Sequence, residues 1–168
     1  MFNKTTIIMV GFAGLLTLAG TGCVTTSALY RGNSVSPERV VAIQDAGPHK
    51  DSVETFDIVI NYTFVRGGDV LDISGQAVLT ERYPQLYAGL KYLYLYLFFL
   101  DADSRVLETV SLVNAMTGSL EERFEFSRSL PVPTGAVGIS FGYNGEVKEG
   151  GGGGLTSAHT FYRLPLQK

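Results

Sequence analysis

The chain has 168 residues, and its 13 lysine and arginine residues against 16 acidic residues give a formal net charge of -3. A net-negative chain without a basic block is a poor candidate for nucleic-acid binding, which depends on neutralising phosphates. The single cysteine excludes an intramolecular disulfide and a cysteine-rich zinc site. The length suits one domain, or two at most.

The first 22 residues have the pattern of a secretory signal peptide. Lys4 is their only charged residue, the run from Thr5 to Gly22 is uncharged, and small residues precede Cys23. A short positive start, an apolar middle and small residues before a cleavage site are typical of an exported chain. The alternative is an apolar anchor that is retained and carries a free cysteine.

The end of this segment, Leu18-Ala19-Gly20-Thr21-Gly22-Cys23, resembles the lipobox of bacterial lipoproteins. In that family the cysteine becomes the first mature residue and carries lipid on its sulfur, so the resemblance implies a membrane anchor at Cys23. Val24 follows, where an Asp would favour the inner membrane, and this implies the outer membrane if the cell is Gram-negative. We therefore expect a signal peptide over 1–22, a lipidated N terminus and tether over 23–50, and a folded domain over 51–168.

Apolar residues alternate with polar ones from Glu54 onward, and this period of two predicts β-strands. The predicted strands cover 56–65, 70–80, 90–100, 105–113, 121–127, 137–143 and 158–164. Loops are expected over 82–85, 114–119 and 144–154, and Gly75 indicates a bulge or a close backbone approach. A short helix or a strand is expected after Ser36.

About seven strands with short, turn-rich links favour an all-β antiparallel β-sandwich, immunoglobulin-like, with a small closed β-barrel as the alternative. The succession of a strand, an Asp-x-Asp turn, further strands and a Pro-x-Pro loop is loosely similar to the FxLYD type of small secreted lipoprotein domain.

The strand from Leu90 to Leu100 is apolar on both faces, and one face carries Tyr92, Tyr94, Tyr96 and Phe98. A two-layer sandwich buries only one face of each strand, so the second face needs a cover. The cover is either the protein's own tether or a partner, and exposed contiguous aromatic surface is typical of an interface. These four residues are the candidate binding surface.

The segment Gly138-Ile139-Ser140-Phe141-Gly142 matches the G-x-S-x-G pattern of a serine nucleophile, and Glu146, Glu149 and His159 follow in the order used by α/β-hydrolases. That pattern requires a strand, a strained turn and a helix, whereas β alternation continues through Ser140. A strand with a small-residue face is the favoured interpretation, and no catalytic residues are expected.

Metal and phosphate sites are also not expected. Asp101 and Asp103 have the spacing of calcium ligands but lack the glycine and glutamate of a complete loop, so a turn explains them. His49 and His159 are too few for a typical zinc site. Gly150 to Gly154 lack the Gly-Lys-Ser/Thr of a phosphate loop and are interpreted as a flexible connection.

Taken together, these features predict a non-enzymatic, lipid-anchored protein of the cell envelope without a cofactor. We expect it to act as a binding or structural module on the periplasmic side of the outer membrane, with an envelope protein as a partner and no nucleic acid. The alternative is a carrier that holds a small apolar ligand within the sandwich or barrel.

Overall fold

The computed structural model describes residues 28–43, 47–149 and 158–167. These residues contain a short 3-10 helix (Pro37–Arg39) and a five-residue helix, α1 (Arg82–Leu86). Their strands are β1 (Val41–Ala42), β2 (His49–Glu54), β3 (Ile58–Gly67), β4 (Val70–Leu79), β5 (Tyr87–Leu100), β6 (Val106–Gly118), β7 (Phe124–Pro131), β8 (Gly138–Glu149) and β9 (Ala158–Arg163).

The strands form two antiparallel sheets that confirm the predicted β-sandwich. One sheet has the order β2-β3-β4-β7, and the other has the order β8-β5-β6 with both β1 and β9 paired to the outer side of β8. Apart from β1 and β2, this order corresponds to the A-B-E and G-F-C-C′ strands of an immunoglobulin-type sandwich. Over the described residues the sheets do not close into a barrel, so the alternative fold is wrong.

The core lies between the two sheets because the strands alternate as the sequence predicts. On β3, the inward side chains of Ile58, Ile60, Tyr62 and Phe64 are 0–2% exposed. On β5, Leu93, Leu95, Leu97 and Phe99 are 0% exposed and belong to the same cluster. Burial of this many large apolar side chains is the dominant stabilising contribution to such a fold.

The tether is shorter than predicted, because the chain joins the body of the domain well before residue 51. Val35 and Ile43 are buried, β1 pairs with β8, and β2 begins at His49. Ser34 also bridges to Arg105 and to Leu166. The apolar residues of this segment are therefore part of the domain's core and not of a free linker.

Several loop predictions are wrong in their boundaries. Residues 82–85 lie in α1 instead of a loop, and residues 114–118 extend β6. Asn144 and Gly145 lie within β8, opposite Tyr94 and Leu93 of β5. The reason is that tertiary pairing continues each strand past residues that would otherwise favour a turn.

Gly75 is a close backbone approach without a register shift. A Cβ atom at this position would collide with the Asn61 carbonyl oxygen and lie 2.8 Å from the Phe126 ring. Phe56, the first apolar residue of the predicted strand 56–65, precedes β3 and is 74% exposed. Its ring lies under the Arg82 guanidinium, whose carbon is 3.3 Å from the ring centroid.

Candidate functional site

The side chains of Tyr92, Tyr94 and Tyr96, which we call the tyrosine face, form a row on the outer side of β5. The ring centroids of Tyr92 and Tyr94 are 5.3 Å apart, and those of Tyr94 and Tyr96 are 6.4 Å apart. All three side chains are half-buried. Burial raises the pKa of Tyr92 and Tyr96. A tyrosine hydroxyl can both donate and accept a hydrogen bond.

The register of the sheet extends the tyrosine face across four strands. Tyr94 lies opposite Asn114 of β6 and Asn144 of β8, and Asn144 lies opposite Tyr162 of β9. Tyr162 is 68% exposed and Met116 is 63% exposed, and the Tyr94 hydroxyl contacts the Met116 sulfur at 3.5 Å. The result is a surface of aromatic, amide and thioether groups.

Among the described residues that lie opposite the three tyrosines on neighbouring strands, charge is found only at one border of the tyrosine face. Lys91 Nζ is 2.5 Å from Glu146 Oε1, and Glu146 lies opposite Tyr92. The lysine side chain is half-exposed, whereas the glutamate is largely buried. This pair neutralises the carboxylate beside the tyrosines, so it leaves the face with little net charge.

The other end of the aromatic stripe is covered by the protein's own N-terminal segment. Phe98 is 0% exposed and clusters with Val35, Leu100 and Val106. The Tyr30 ring meets Phe98 edge-on at 5.7 Å, and Gly32 N donates to the Val106 carbonyl at 2.8 Å. The tether is thus the cover at this end, and Phe98 cannot belong to a surface that contacts a partner.

A second concave region, the edge cleft, lies between the outer side of β8 and the edge strand β2. It has a volume of about 350 Å³, and its charged lining residues are Glu38, Arg39, Asp51, Glu54 and Arg163. β1 pairs only with Gly138 and Ile139, while β9 pairs with 143–148, so Ser140 to Gly142 have no strand partner at this edge in the described part of the chain.

Arg39 and Tyr62 bring unpaired polar atoms to the edge cleft. Arg39 Nη2 donates to the Phe141 carbonyl at 3.3 Å, but its Nε and the Tyr62 hydroxyl are buried and have no hydrogen-bond partner among the described residues. Burial and the neighbouring Arg163 lower the pKa of Arg39. Burial raises the pKa of Tyr62 to about 12, and the Asp51 carboxylate adds to this. The sequence pattern did not signal these residues, because they come from distant strands.

One carboxylate links both sheets to α1. The Tyr83 hydroxyl donates to Asp57 Oδ1 at 2.7 Å, and the Tyr143 hydroxyl lies 2.9 Å from Asp57 Oδ2 and 3.0 Å from Thr55 Oγ1. Burial raises the pKa of both tyrosines, to about 12 for Tyr143. This arrangement fixes the β2–β3 turn against β8, and we interpret it as structural.

The serine of the G-x-S-x-G pattern lies near the start of β8, and the described residues place His159 far from it. Ser140 is 1% exposed, and its hydroxyl has no hydrogen-bond partner among the described residues. His159 pairs with Val147, seven residues along β8, which corresponds to about 23 Å at roughly 3.3 Å per residue. The small-residue face is confirmed, because a Cβ at Gly142 would lie 2.5 Å from the Phe98 ring.

The turn interpretation of the Asp-x-Asp segment is also confirmed. Asp101 Oδ1 accepts hydrogen bonds from the backbone N–H groups of Asp103 at 2.9 Å and Arg105 at 2.8 Å. Groups of three or more metal-ligating side chains are absent from the part of the chain that the structure describes. Of the two histidines, His49 packs on Phe64, and His159 is half-buried against Tyr87.

Three predicted features lie outside the described residues: the signal peptide over 1–22, the lipidation site Cys23 and the Gly150–Gly154 connection. Within 28–43, 47–149 and 158–167, no helix has the length and hydropathy needed to span a membrane. Comparisons with protein-family models, curated proteins and solved structures found no match to this chain.

Proposed function

We propose that this protein is a lipid-anchored lipoprotein of the cell envelope that binds another envelope protein and performs no catalysis. Lipid on Cys23 would hold the sandwich at the outer membrane, facing the periplasm. The observation that carries the binding role is the tyrosine face, whose three adjacent rings remain half-exposed on a rigid sheet.

The composition of this surface supports a protein partner. Tyrosine and methionine are enriched in protein interfaces, and charged residues are depleted at the centre of such interfaces. Tyr94 and Tyr96 meet these criteria, with exposed Met116 and Tyr162 extending the apolar area beside them. Asn114 and Asn144 supply hydrogen-bonding groups in the same row.

The described part of the N-terminal segment lies at the Phe98 end of the aromatic stripe, where Tyr30 packs over Phe98. Tyr92 lies six residues before Phe98 on β5, or about 20 Å away, and remains half-exposed.

Changing Tyr92, Tyr94 and Tyr96 together to alanine is expected to reduce crosslinking to the partner by at least about tenfold. The reason is that truncating a central interface tyrosine costs about 1 kcal/mol or more. The measurement is crosslinking in living cells with the full-length protein as bait and mass spectrometry as readout.

Leu86→Ala serves as the matched control, because Leu86 is 61% exposed in α1, outside the tyrosine face. This variant should retain the full yield of every crosslinked partner. If the triple tyrosine variant also retained that yield while folding normally, the tyrosine face would have no binding role.

A further inference from the structure

The edge cleft has the properties of a ligand site in a place separate from the tyrosine face. Its volume of about 350 Å³ is within the usual range for small-molecule pockets. It lies where β8 is left unpaired between β1 and β9, so main-chain groups as well as side chains border it.

Neither arginine of the cleft forms a salt bridge with another described residue, although the charge of Glu38 acts on Arg39 and raises its pKa. Salt bridges within 4.0 Å in the described residues join His49 to Asp51 and Lys91 to Glu146, and neither involves Arg39 or Arg163. Arg163 lies opposite Tyr143 and therefore faces the space between the sheets, where it affects the pKa of Arg39. Two neighbouring guanidinium groups repel each other, and an anion between them would relieve this repulsion.

The buried polar atoms give a second, independent indication of a ligand. Tyr62 is 2% exposed, and its hydroxyl has no partner, as is also true of Arg39 Nε. Buried groups of this kind are normally hydrogen-bonded, and an exception calls for an explanation such as an absent ligand. A carboxylate fits, because it accepts hydrogen bonds from a guanidinium fork and from a hydroxyl.

The carboxylate charge that β2 contributes to the edge cleft restricts which kind of anion can bind there. Asp51 of β2 lies opposite Tyr62 and therefore faces the cleft, whereas Glu54 lies opposite Val59 and faces the outer side of the sheet. Asp51 and Glu38 thus offset the two arginines, and this balance of charge disfavours a phosphate, which carries nearly two negative charges at neutral pH. A molecule with both a carboxylate and an ammonium group matches the charges on the two sides of the cleft. Its carboxylate would lie at the two arginines and its ammonium group toward Asp51.

We infer that the edge cleft binds a small zwitterion of the amino-acid or short-peptide class, with its carboxylate held by Arg39 and Arg163 and by the Tyr62 hydroxyl. Asp51, which lies opposite Tyr62, binds the ammonium group. The site depends on the chain's own 3-10 helix and on β9, so it forms only when the N-terminal segment and the last strand are both docked.

The test is equilibrium dialysis of radiolabelled alanine against the full-length protein in nonionic detergent, with alanyl-alanine, acetate and inorganic phosphate as unlabelled competitors. Saturable binding of alanine is expected below about 10 mM, with alanyl-alanine competing better than acetate and phosphate. Arg39→Gln and Arg163→Gln should each weaken binding at least about tenfold, since each removes one partner of a buried charge pair.

Arg128→Gln is the matched control, because Arg128 is an exposed arginine of β7 whose guanidinium bonds the adjacent Ser127 carbonyl. Arg39→Lys keeps a donor for the Phe141 carbonyl and serves as a second variant if Arg39→Gln unfolds, as judged by circular dichroism. No saturable binding, equal binding by folded Arg163→Gln, or stronger competition by phosphate than by alanine would overturn the inference.

Discussion

Phe98→Ala is expected to lower the free energy of unfolding by about 3–5 kcal/mol, the usual range for truncating a fully buried phenylalanine. Phe98 is 0% exposed, with the Tyr30 ring on one side and the strand at Gly142 beside it. Removing its ring leaves a cavity that the small-residue strand β8 cannot fill. The measurement is urea unfolding, from which the midpoint and the slope are obtained.

Tyr92→Ala is the control on the same face of the same strand. Because Tyr92 is only half-buried, we expect a loss of about 1 kcal/mol or less. Equal losses for Phe98→Ala and Tyr92→Ala would contradict the conclusion that residues 30–35 cover one end of the aromatic stripe.

Alkaline pH is expected to cause the second large loss of stability, between about pH 10 and 12. The pKa values of Tyr62 and Tyr143 are raised from 10.0 to about 12 in the folded protein. Below pH 10 the contribution of these two tyrosines to the free energy of unfolding is complete. Above pH 10 the two tyrosines ionise in the unfolded chain before they ionise in the folded protein. The free energy of unfolding therefore falls as the pH rises, until the pH exceeds their pKa in the folded protein. At about 1.4 kcal/mol per pKa unit, each tyrosine accounts for about 2–3 kcal/mol.

Denaturant unfolding at several pH values measures this loss, and the double variant Tyr62→Phe/Tyr143→Phe isolates it. The two proteins differ only at these two tyrosines, so the difference between their profiles belongs to the tyrosines. Tyr162→Phe, at a 68% exposed position, is the control and should leave the profile unchanged. A double variant with the same alkaline slope as the unaltered protein would contradict this assignment.

The strands could be predicted where side-chain alternation is strong. β3 and β4 have one apolar and one largely polar face, and their predicted positions agree with the structure within two residues at each end. The Asn-Gly pair in β8 was misleading because it resembles a hairpin turn. In the structure the Phe161 ring packs over Gly145, where a Cβ would lie within 2.7 Å of the ring, and the strand continues.

The candidate sites differ in how far the sequence could predict them. The tyrosine face follows directly from the spacing of Tyr92, Tyr94 and Tyr96 along one strand. The edge cleft could not be predicted, because Arg39, Tyr62 and Arg163 come from three separate segments and carry no local motif. The same reason applies to Asp57, whose two tyrosine partners lie in α1 and β8.

Intact-mass analysis of the protein extracted from membranes tests the central claim, anchoring through Cys23, most directly. The proposed function predicts a mature chain that begins at Cys23, lacks residues 1–22 and carries lipid mass on its first residue. A Cys23→Ala variant should remain unprocessed and carry no lipid. A membrane-extracted protein that retains Met1 and an unmodified Cys23 would contradict the proposed anchoring.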